Sequence, residues 1–137
     1  EDPIVDFIGE IGFPDTNEFL GNAHALLFPI QWPEPFGLVM IEAMAAGTPI
    51  IAYARGSVPE VIEDGVNGFV VQNIEEAVAA IERVSCLDRA GCRKYFELRF
   101  PASRMCADYL AVYERLLRTE PAIVPATHGA SSWLRSA

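Results

Sequence analysis

Two glutamates eight residues apart, Glu34 and Glu42, stand in the most apolar segment of the chain, PEPFGLVMIEAMAAGTPIIAYARG. Glu34 lies between Pro33 and Pro35, and Glu42 is the one charged residue from position 36 to position 54. A carboxylate can accept two hydrogen bonds from a vicinal diol such as a ribose, and it can also stabilise a developing positive charge. The pair therefore indicates a sugar or nucleoside site, and spacing alone leaves open a buried Glu42 paired with a backbone N–H group or an arginine.

The elements around this pair predict an α/β fold. Short β-rich runs alternate with helical segments, which is typical of a parallel sheet with flanking helices. The predicted strands are residues 4–8, 26–29, 49–53 and 69–71. The predicted helices begin near residue 14 and then cover residues 38–46, 57–63, 74–84, 88–99 and 102–117. In open α/β sheets, ligands bind where the carboxyl ends of strands meet helix N-termini, which is where both glutamates fall.

Three further features of the pattern predict local structure. The runs at residues 26–29 and 49–53 are expected to be buried strands. Ser57 and Glu60 match the S-x-x-E capping box at a helix start. The last helix carries an apolar stripe that is expected to join the core. The stripe consists of Met105, Tyr109, Val112, Tyr113, Leu116 and Leu117.

The start of the helix at residues 38–46 is a candidate anion site without a lysine. Gly37 allows a close approach of the backbone, and the free N–H groups of Gly37, Leu38 and Val39 point out of the first turn. Residues 1–82 carry 14 acidic side chains and one basic one, Arg55. This acidic half excludes a nucleic-acid interface, and a bound phosphate must be held by backbone N–H groups or by cations from elsewhere.

The remaining composition fits one domain, predicted over residues 1–119, followed by a disordered tail at residues 120–137. Three cysteines without C-x-x-C spacing favour free thiols in a reducing cytoplasm over zinc or disulfides. The first ten residues, EDPIVDFIGE, lack the features of a secretory signal, and no segment predicts a transmembrane helix.

From residue 5 to residue 71 the chain resembles the carboxyl-terminal domain of family 4 glycosyltransferases, retaining enzymes of the two-domain GT-B fold. The matching pieces are VDFIGEI, LLFP, EPFGLVMIEAMAAGTPIIA and GSVPEVIEDGVNGFVV. The resemblance implies that Glu34 is the catalytic carboxylate beside the transferred sugar and that Glu42 accepts hydrogen bonds from the ribose. It also implies a donor-binding segment at the helix start, formed by Phe36, Gly37, Leu38 and Val39.

The same resemblance implies a nucleotide-sugar donor, a sugar or lipid-linked acceptor, and neither a metal nor another cofactor. It implies work in carbohydrate biosynthesis in the cytoplasm or at the inner membrane face. Complete enzymes of this kind also have an amino-terminal domain and two more strand–helix units that supply an arginine and a lysine for the diphosphate. The single lysine here, Lys94, matches no such position, so we expect a truncated, Rossmann-like partial domain that is inactive alone.

In the doubly wound strand order, residues 4–8 lack their neighbour and residues 26–29 leave an open edge. We therefore expect residues 4–8 to pair non-natively, to pair with another chain in an edge-strand dimer, or to depend on absent residues. The alternative function is a catalytically silent nucleotide-binding or protein-interaction module. A pyridoxal phosphate enzyme is disfavoured because no Schiff-base lysine matches, and a phosphoacceptor receiver domain is disfavoured because its acidic cluster and late lysine are missing.

Overall fold

The computed structural model describes residues 4–118. The tail predicted at residues 120–137 lies outside the described residues. The helices are α1 (Phe13–Asn22), α2 (Leu38–Ala45), α3 (Val58–Val61), α4 (Ile74–Arg83), α5 (Arg89–Arg99) and α6 (Ala102–Arg118), with a short 3-10 turn at Val84–Cys86. The strands are β1 (Leu26–Phe28), β2 (Ile50–Tyr53) and β3 (Gly68–Val71).

The three strands form one parallel sheet in the order β1-β2-β3. Ile50 of β2 lies opposite Leu26 of β1 and Gly68 of β3, so β2 is the central strand. Each connection between parallel strands has to cross over the sheet, and the crossovers here carry α2 and α3. The predicted α/β class, with a Rossmann-like parallel sheet and flanking helices, is confirmed.

The core lies on both faces of this sheet because successive side chains of β2 point to opposite sides. Ile50 joins a cluster with Met40 and Met44 of α2, which also packs against α1 and α5. Ile51 joins the second cluster, on the side covered by α4, together with Val84. The predicted buried strand at residues 49–53 is thus confirmed over β2, whose first three residues are buried.

Helix caps explain two of the boundaries and correct a third. The box predicted at Ser57 is wrong: its backbone is already helical and its buried hydroxyl has no hydrogen-bond partner. A variant of the capping box forms instead before α4. There Asn73 Oδ1 accepts the Glu76 N–H at 2.8 Å, and Glu76 Oε2 accepts the Gln72 N–H at 2.8 Å. The left-handed Gly47 ends α2 as the sequence predicts.

The strand predicted at residues 4–8 is wrong. No residue from 5 to 8 belongs to a strand of the described chain, and the Phe7 side chain is 92% exposed. The physical reason is that a strand needs a partner for its backbone hydrogen bonds, and in the described chain β1 pairs with β2 alone.

Two burial predictions are also wrong. β1 was expected to be buried, yet Leu27 is 53% exposed because β1 is an edge strand with an uncovered face. The apolar stripe of α6 was expected in the core, yet this helix has no buried residue. Too little of the described chain packs over α6 to cover its stripe. No helix within residues 4–118 is long and apolar enough to cross a membrane.

Arg89, at the start of α5, connects α5 to the end of α1 through hydrogen bonds. Its guanidinium donates to Ala23 O at 2.8 Å, to Gly21 O at 2.7 Å and to Thr48 Oγ1 at 3.0 Å. The Thr48 hydroxyl in turn donates to Leu20 O at 2.6 Å. A cation at the carboxyl end of α1 also interacts favourably with the helix dipole, so this network holds α1 beside α2.

We expect Arg89→Ala to lower the free energy of unfolding by about 2 kcal/mol, because partly buried carbonyl groups lose a charged donor. Urea unfolding followed by circular dichroism measures this loss. Lys94→Ala is the matched control, since Lys94 is an exposed cation on the same helix. Equal losses of unfolding free energy in the two variants would show that the Arg89 hydrogen-bond network contributes nothing specific to stability.

The three cysteines are free thiols with different surroundings. Cys86 and Cys106 are exposed, whereas Cys92 is buried in α5. Burial raises the pKa of the Cys92 thiol above its ordinary value, and the nearby Arg89 guanidinium offsets part of that shift. Fewer thiolate groups and less access both reduce reactivity at Cys92.

A thiol reagent such as Ellman's reagent should therefore label the native protein in two steps. We expect rapid reaction at Cys86 and Cys106, and reaction at Cys92 only after the protein unfolds in denaturant. The Cys92→Ala variant should keep the full rapid phase. Rapid labelling of Cys92 in the native protein would contradict its placement in the core.

Candidate functional site

The loop between β1 and α2 is closed by the Glu34 carboxylate. Its Oε1 atom accepts the Gly37 N–H at 3.1 Å and, at the limit of hydrogen bonding, the Phe36 N–H at 3.5 Å. Its Oε2 atom accepts the indole N–H of Trp32 at 3.0 Å. The half-buried carboxylate is thus fixed at the N-terminus of α2, between the loop and the helix.

Gly37 is the N-cap of α2 and has left-handed backbone angles, φ 75° and ψ 70°. A Cβ atom at this position would lie 2.6 Å from Met40 Cε and 3.4 Å from a ring carbon of Phe28. The left-handed backbone is therefore strained for any other residue, whereas the Met40 methyl group stands at the end of a flexible side chain that can shift. The angle at which the loop enters the helix therefore favours glycine at this position.

The predicted anion site at this helix start needs one correction. The Gly37 N–H is not free, because it donates to Glu34. The N–H groups of Leu38 and Val39 belong to the first turn of α2, in which no intrahelical carbonyl is available to them. No residue of the first turn itself is acidic, but the Glu34 carboxylate lies at the same helix start and opposes a second anion. Two N–H groups rather than three are therefore available to a phosphate.

Gly56 and Ser57, in the loop between β2 and α3, hold the Glu34 peptide from the other side. The Ser57 N–H donates to Glu34 O at 2.8 Å. A Cβ atom at Gly56 would lie 2.2 Å from Glu34 O and 2.5 Å from Glu34 N. The two loops are thus packed backbone against backbone, with no room for a side chain between them.

Glu42 is exposed on α2, five residues after the N-cap, which corresponds to about 7.5 Å along the helix axis. It borders a groove of about 340 Å³ between α2 and α1, together with Thr16 and Asn17. No hydrogen bond or salt bridge engages the Glu42 carboxylate in the part of the chain that the structure describes. The buried alternative for Glu42 is therefore excluded, and its oxygens face solvent.

Phe36 and Leu38 lie on a different side of α2. They line a groove of about 540 Å³ toward α5 and α6. The Phe36 ring packs edge-to-face on Phe100, with 6.3 Å between ring centroids. The predicted site residues therefore surround one helix start, but Glu42 and the pair Phe36 and Leu38 border separate grooves. Val39 is half-buried between them.

Charge around the site is unequal. Arg55, the one basic residue in the acidic half of the chain, is exposed in the loop after β2, next to Gly56. Its side chain makes no hydrogen bond or ion pair with any residue from 4 to 118. Within that same range, no three His, Cys, Asp or Glu side chains are grouped as metal ligands.

Three residues of the site were missed by sequence reasoning: Trp32, Gly56 and Ser57. The W-x-E spacing before α2 is a usable indication for Trp32, because it places an aromatic side chain two residues from a loop carboxylate. Nothing local indicates Gly56 or Ser57, since their contact with Glu34 joins two separate loops.

We expect Gly56→Ala to lower the free energy of unfolding by about 3 kcal/mol, since it adds steric overlap with the Glu34 peptide to the cost of its left-handed φ. Gly65→Ala is the matched control: Gly65 has φ 76° but open space around its Cβ position, so about 1 kcal/mol is expected. Chemical denaturation measures both values. The loop contact has no energetic importance if the two variants lose the same amount.

Comparison with known proteins identifies the family. Residues 3–94 match Glycosyl transferases group 1. Spore coat protein SA of Bacillus subtilis is 40% identical over 94 residues, which cover 62% of this chain and 25% of that protein. A D-inositol 3-phosphate glycosyltransferase of Geodermatophilus obscurus is 34% identical over 142 aligned residues, covering 90% of this chain and 32% of that protein.

A third relative is an uncharacterized 41.2 kDa protein from the cps region of Klebsiella pneumoniae. It is 36% identical over 113 residues, covering 75% of this chain and 31% of that protein. The chain thus spans between a quarter and a third of the length of these relatives. The family match includes both glutamates, the start of α2 and the whole sheet, and the chain belongs to the group 1 glycosyltransferases.

Proposed function

We propose that this chain is the donor-binding, carboxyl-terminal part of a longer, retaining family 4 glycosyltransferase and that it binds a nucleotide sugar. The observation that carries the proposal is the exposed Glu42 carboxylate, which has no hydrogen-bond or ion-pair partner within residues 4–118 and lies along α2 from the left-handed Gly37. In the proposed complex, Glu42 accepts two hydrogen bonds from the ribose diol. The groove beside α1 receives the nucleoside.

The diphosphate in this proposal lies at the start of α2. The N–H groups of Leu38 and Val39 donate to its oxygens, and the helix dipole favours the negative charge. The backbone between Phe36 and Gly37 passes beside it. Side-chain cations come from absent parts of the longer protein, because the acidic half of this chain offers only Arg55.

Glu34 in this proposal lies beside the transferred sugar, where its carboxylate hydrogen-bonds the ring and stabilises positive charge that develops at the anomeric carbon. The sugar acceptor or lipid-linked acceptor is held by an amino-terminal domain. Without that domain the acceptor is not positioned against the donor, so we expect no turnover from this chain alone.

The reaction proposed here uses no metal and no other cofactor. We propose that the protein works in the cytoplasm or at the inner face of its membrane, since free thiols such as those of Cys86 and Cys106 persist in a reducing compartment.

Calorimetric titration of this chain with UDP-glucose, GDP-mannose and ADP-glucose tests the donor site. We expect one of the three to bind, and Glu42→Ala to weaken that binding by about 10- to 100-fold, because two hydrogen bonds to a charged group are lost. Glu82→Ala is the control, since Glu82 is an exposed glutamate on α4. Unchanged affinity in Glu42→Ala would remove the ribose contact from the proposal.

Glu34→Gln tests the catalytic part of the proposal in the full-length glycosyltransferase. The amide oxygen of glutamine can still accept the Gly37 N–H, so the helix start is kept, while the negative charge and the acceptor for the Trp32 N–H are lost. We expect kcat to fall by about 100-fold or more with donor affinity within a few-fold of wild type. A kcat near the wild-type value would exclude the assigned role of Glu34.

The second candidate is a catalytically silent module that binds a nucleotide or a protein partner. The exposed edge strand β1, with its uncovered Leu27, favours this interpretation. Analytical ultracentrifugation distinguishes the two. Dimers without any nucleotide-sugar binding would support the interaction module, and monomers that bind one donor would support the glycosyltransferase.

A further inference from the structure

Trp32 is a large aromatic side chain in an unusual position. It lies in the loop between β1 and α2, at the carboxyl edge of the sheet, and 58% of its surface is exposed. Its one polar side-chain atom, Nε1, donates to Glu34 Oε2 at 3.0 Å. The hydrogen bond fixes one edge of the indole beside the carboxylate and leaves apolar ring surface in solvent.

The loop that carries this ring is held on both sides. Glu34 is tied to the helix start because its carboxylate accepts the Gly37 N–H. It is tied to the neighbouring loop because its carbonyl oxygen accepts the Ser57 N–H at 2.8 Å. Pro33, between Trp32 and Glu34, fixes a backbone angle. The backbone next to Trp32 is thus held in place, and the hydrogen bond from Nε1 to Glu34 orients the indole.

An exposed aromatic ring held in this way suits the apolar face of a sugar. The C–H groups on one face of a hexose carry partial positive charge, and the face of an indole carries negative charge, so the two surfaces attract. Binding sites for small polar ligands commonly combine such an apolar wall with a few convergent polar groups. Here the polar group is the Glu34 carboxylate, in direct contact with the ring.

The position of Trp32 selects the sugar rather than the nucleobase as its ligand. Trp32 contacts Glu34, which precedes α2, whereas Glu42 borders the groove toward α1. With the ribose at Glu42 and the diphosphate at the first turn of α2, the ring lies at the opposite end of the donor from the nucleoside. We propose that Trp32 is the stacking platform for the transferred sugar ring, an inference that rests on the donor site proposed above.

Fluorescence tests this platform without changing it. The chain contains two tryptophans, so Trp133→Phe leaves Trp32 as the sole indole emitter. The ligand is the nucleotide sugar that binds in the calorimetric titration. We expect Trp32 emission to change when this nucleotide sugar is added and to change little with the matching nucleoside diphosphate. Equal changes with both ligands, or no change at saturation with the nucleotide sugar, would overturn the platform while leaving the donor site intact.

Variants give an independent measurement by calorimetry. We expect Trp32→Ala to weaken binding of the nucleotide sugar about tenfold, as loss of aromatic stacking does elsewhere, and to leave binding of the nucleoside diphosphate within about twofold. Trp32→Phe keeps an aromatic ring but loses the N–H donor, so it should retain most of the affinity. Tyr113→Ala removes an aromatic ring of similar exposure on α6 and should change neither value.

The outcomes separate the two proposals. If Trp32→Ala weakens binding of both ligands equally, Trp32 only supports the structure of the loop. If it weakens binding of neither ligand, Trp32 contacts neither of them. Each result overturns the platform but not the donor site. Absence of binding by the unchanged chain to UDP-glucose, GDP-mannose and ADP-glucose would overturn the donor site and the platform together.

Discussion

The backbone contact between Gly56 and Glu34 is the constraint on which the rest of the site depends. The carboxyl ends of parallel strands meet at one edge of a sheet, so the loops that follow β1 and β2 are neighbours. They come close enough for the Ser57 N–H to bond Glu34 O only because position 56 has no side chain. Through this contact the central strand determines where the Glu34 carboxylate lies, and the carboxylate then fixes both Trp32 and the start of α2.

Electrostatics limits what this arrangement can bind. The N-terminus of a helix offers about half a positive charge, which is less than a diphosphate requires, and the surrounding half of the chain is strongly acidic. The Glu34 carboxylate repels an anion less than a free one would, because its oxygens already accept the Gly37 and Trp32 N–H groups. Arg55 is the nearest available cation in sequence, beside Gly56. The proposed donor site therefore needs further positive charge from outside this chain.

Local patterns predicted the parts of the fold that local physics determines. The β-rich run that became β2 and the helix that ends at Gly47 follow from propensity and cap chemistry. The strand predicted at residues 4–8 and the buried stripe of α6 failed because both depend on a packing partner, which periodicity does not reveal. Glu34 and Glu42 were found from spacing and family resemblance, whereas the contact of Glu34 with Gly56 joins residues far apart in the chain.

The apolar composition of α2 follows from what lies on its three sides: the sheet, the groove toward α6 and the groove toward α1. Met40, Ala43 and Met44 are buried against the sheet, which accounts for one side of the helix. Leu38 is 64% exposed and borders the groove toward α6, so its apolar character serves a surface rather than the core. Glu42 occupies the remaining side, toward α1. One side of the helix packs on the sheet and another borders an apolar groove, so the remaining side carries its single charge, and in the proposed complex that charge meets the ligand.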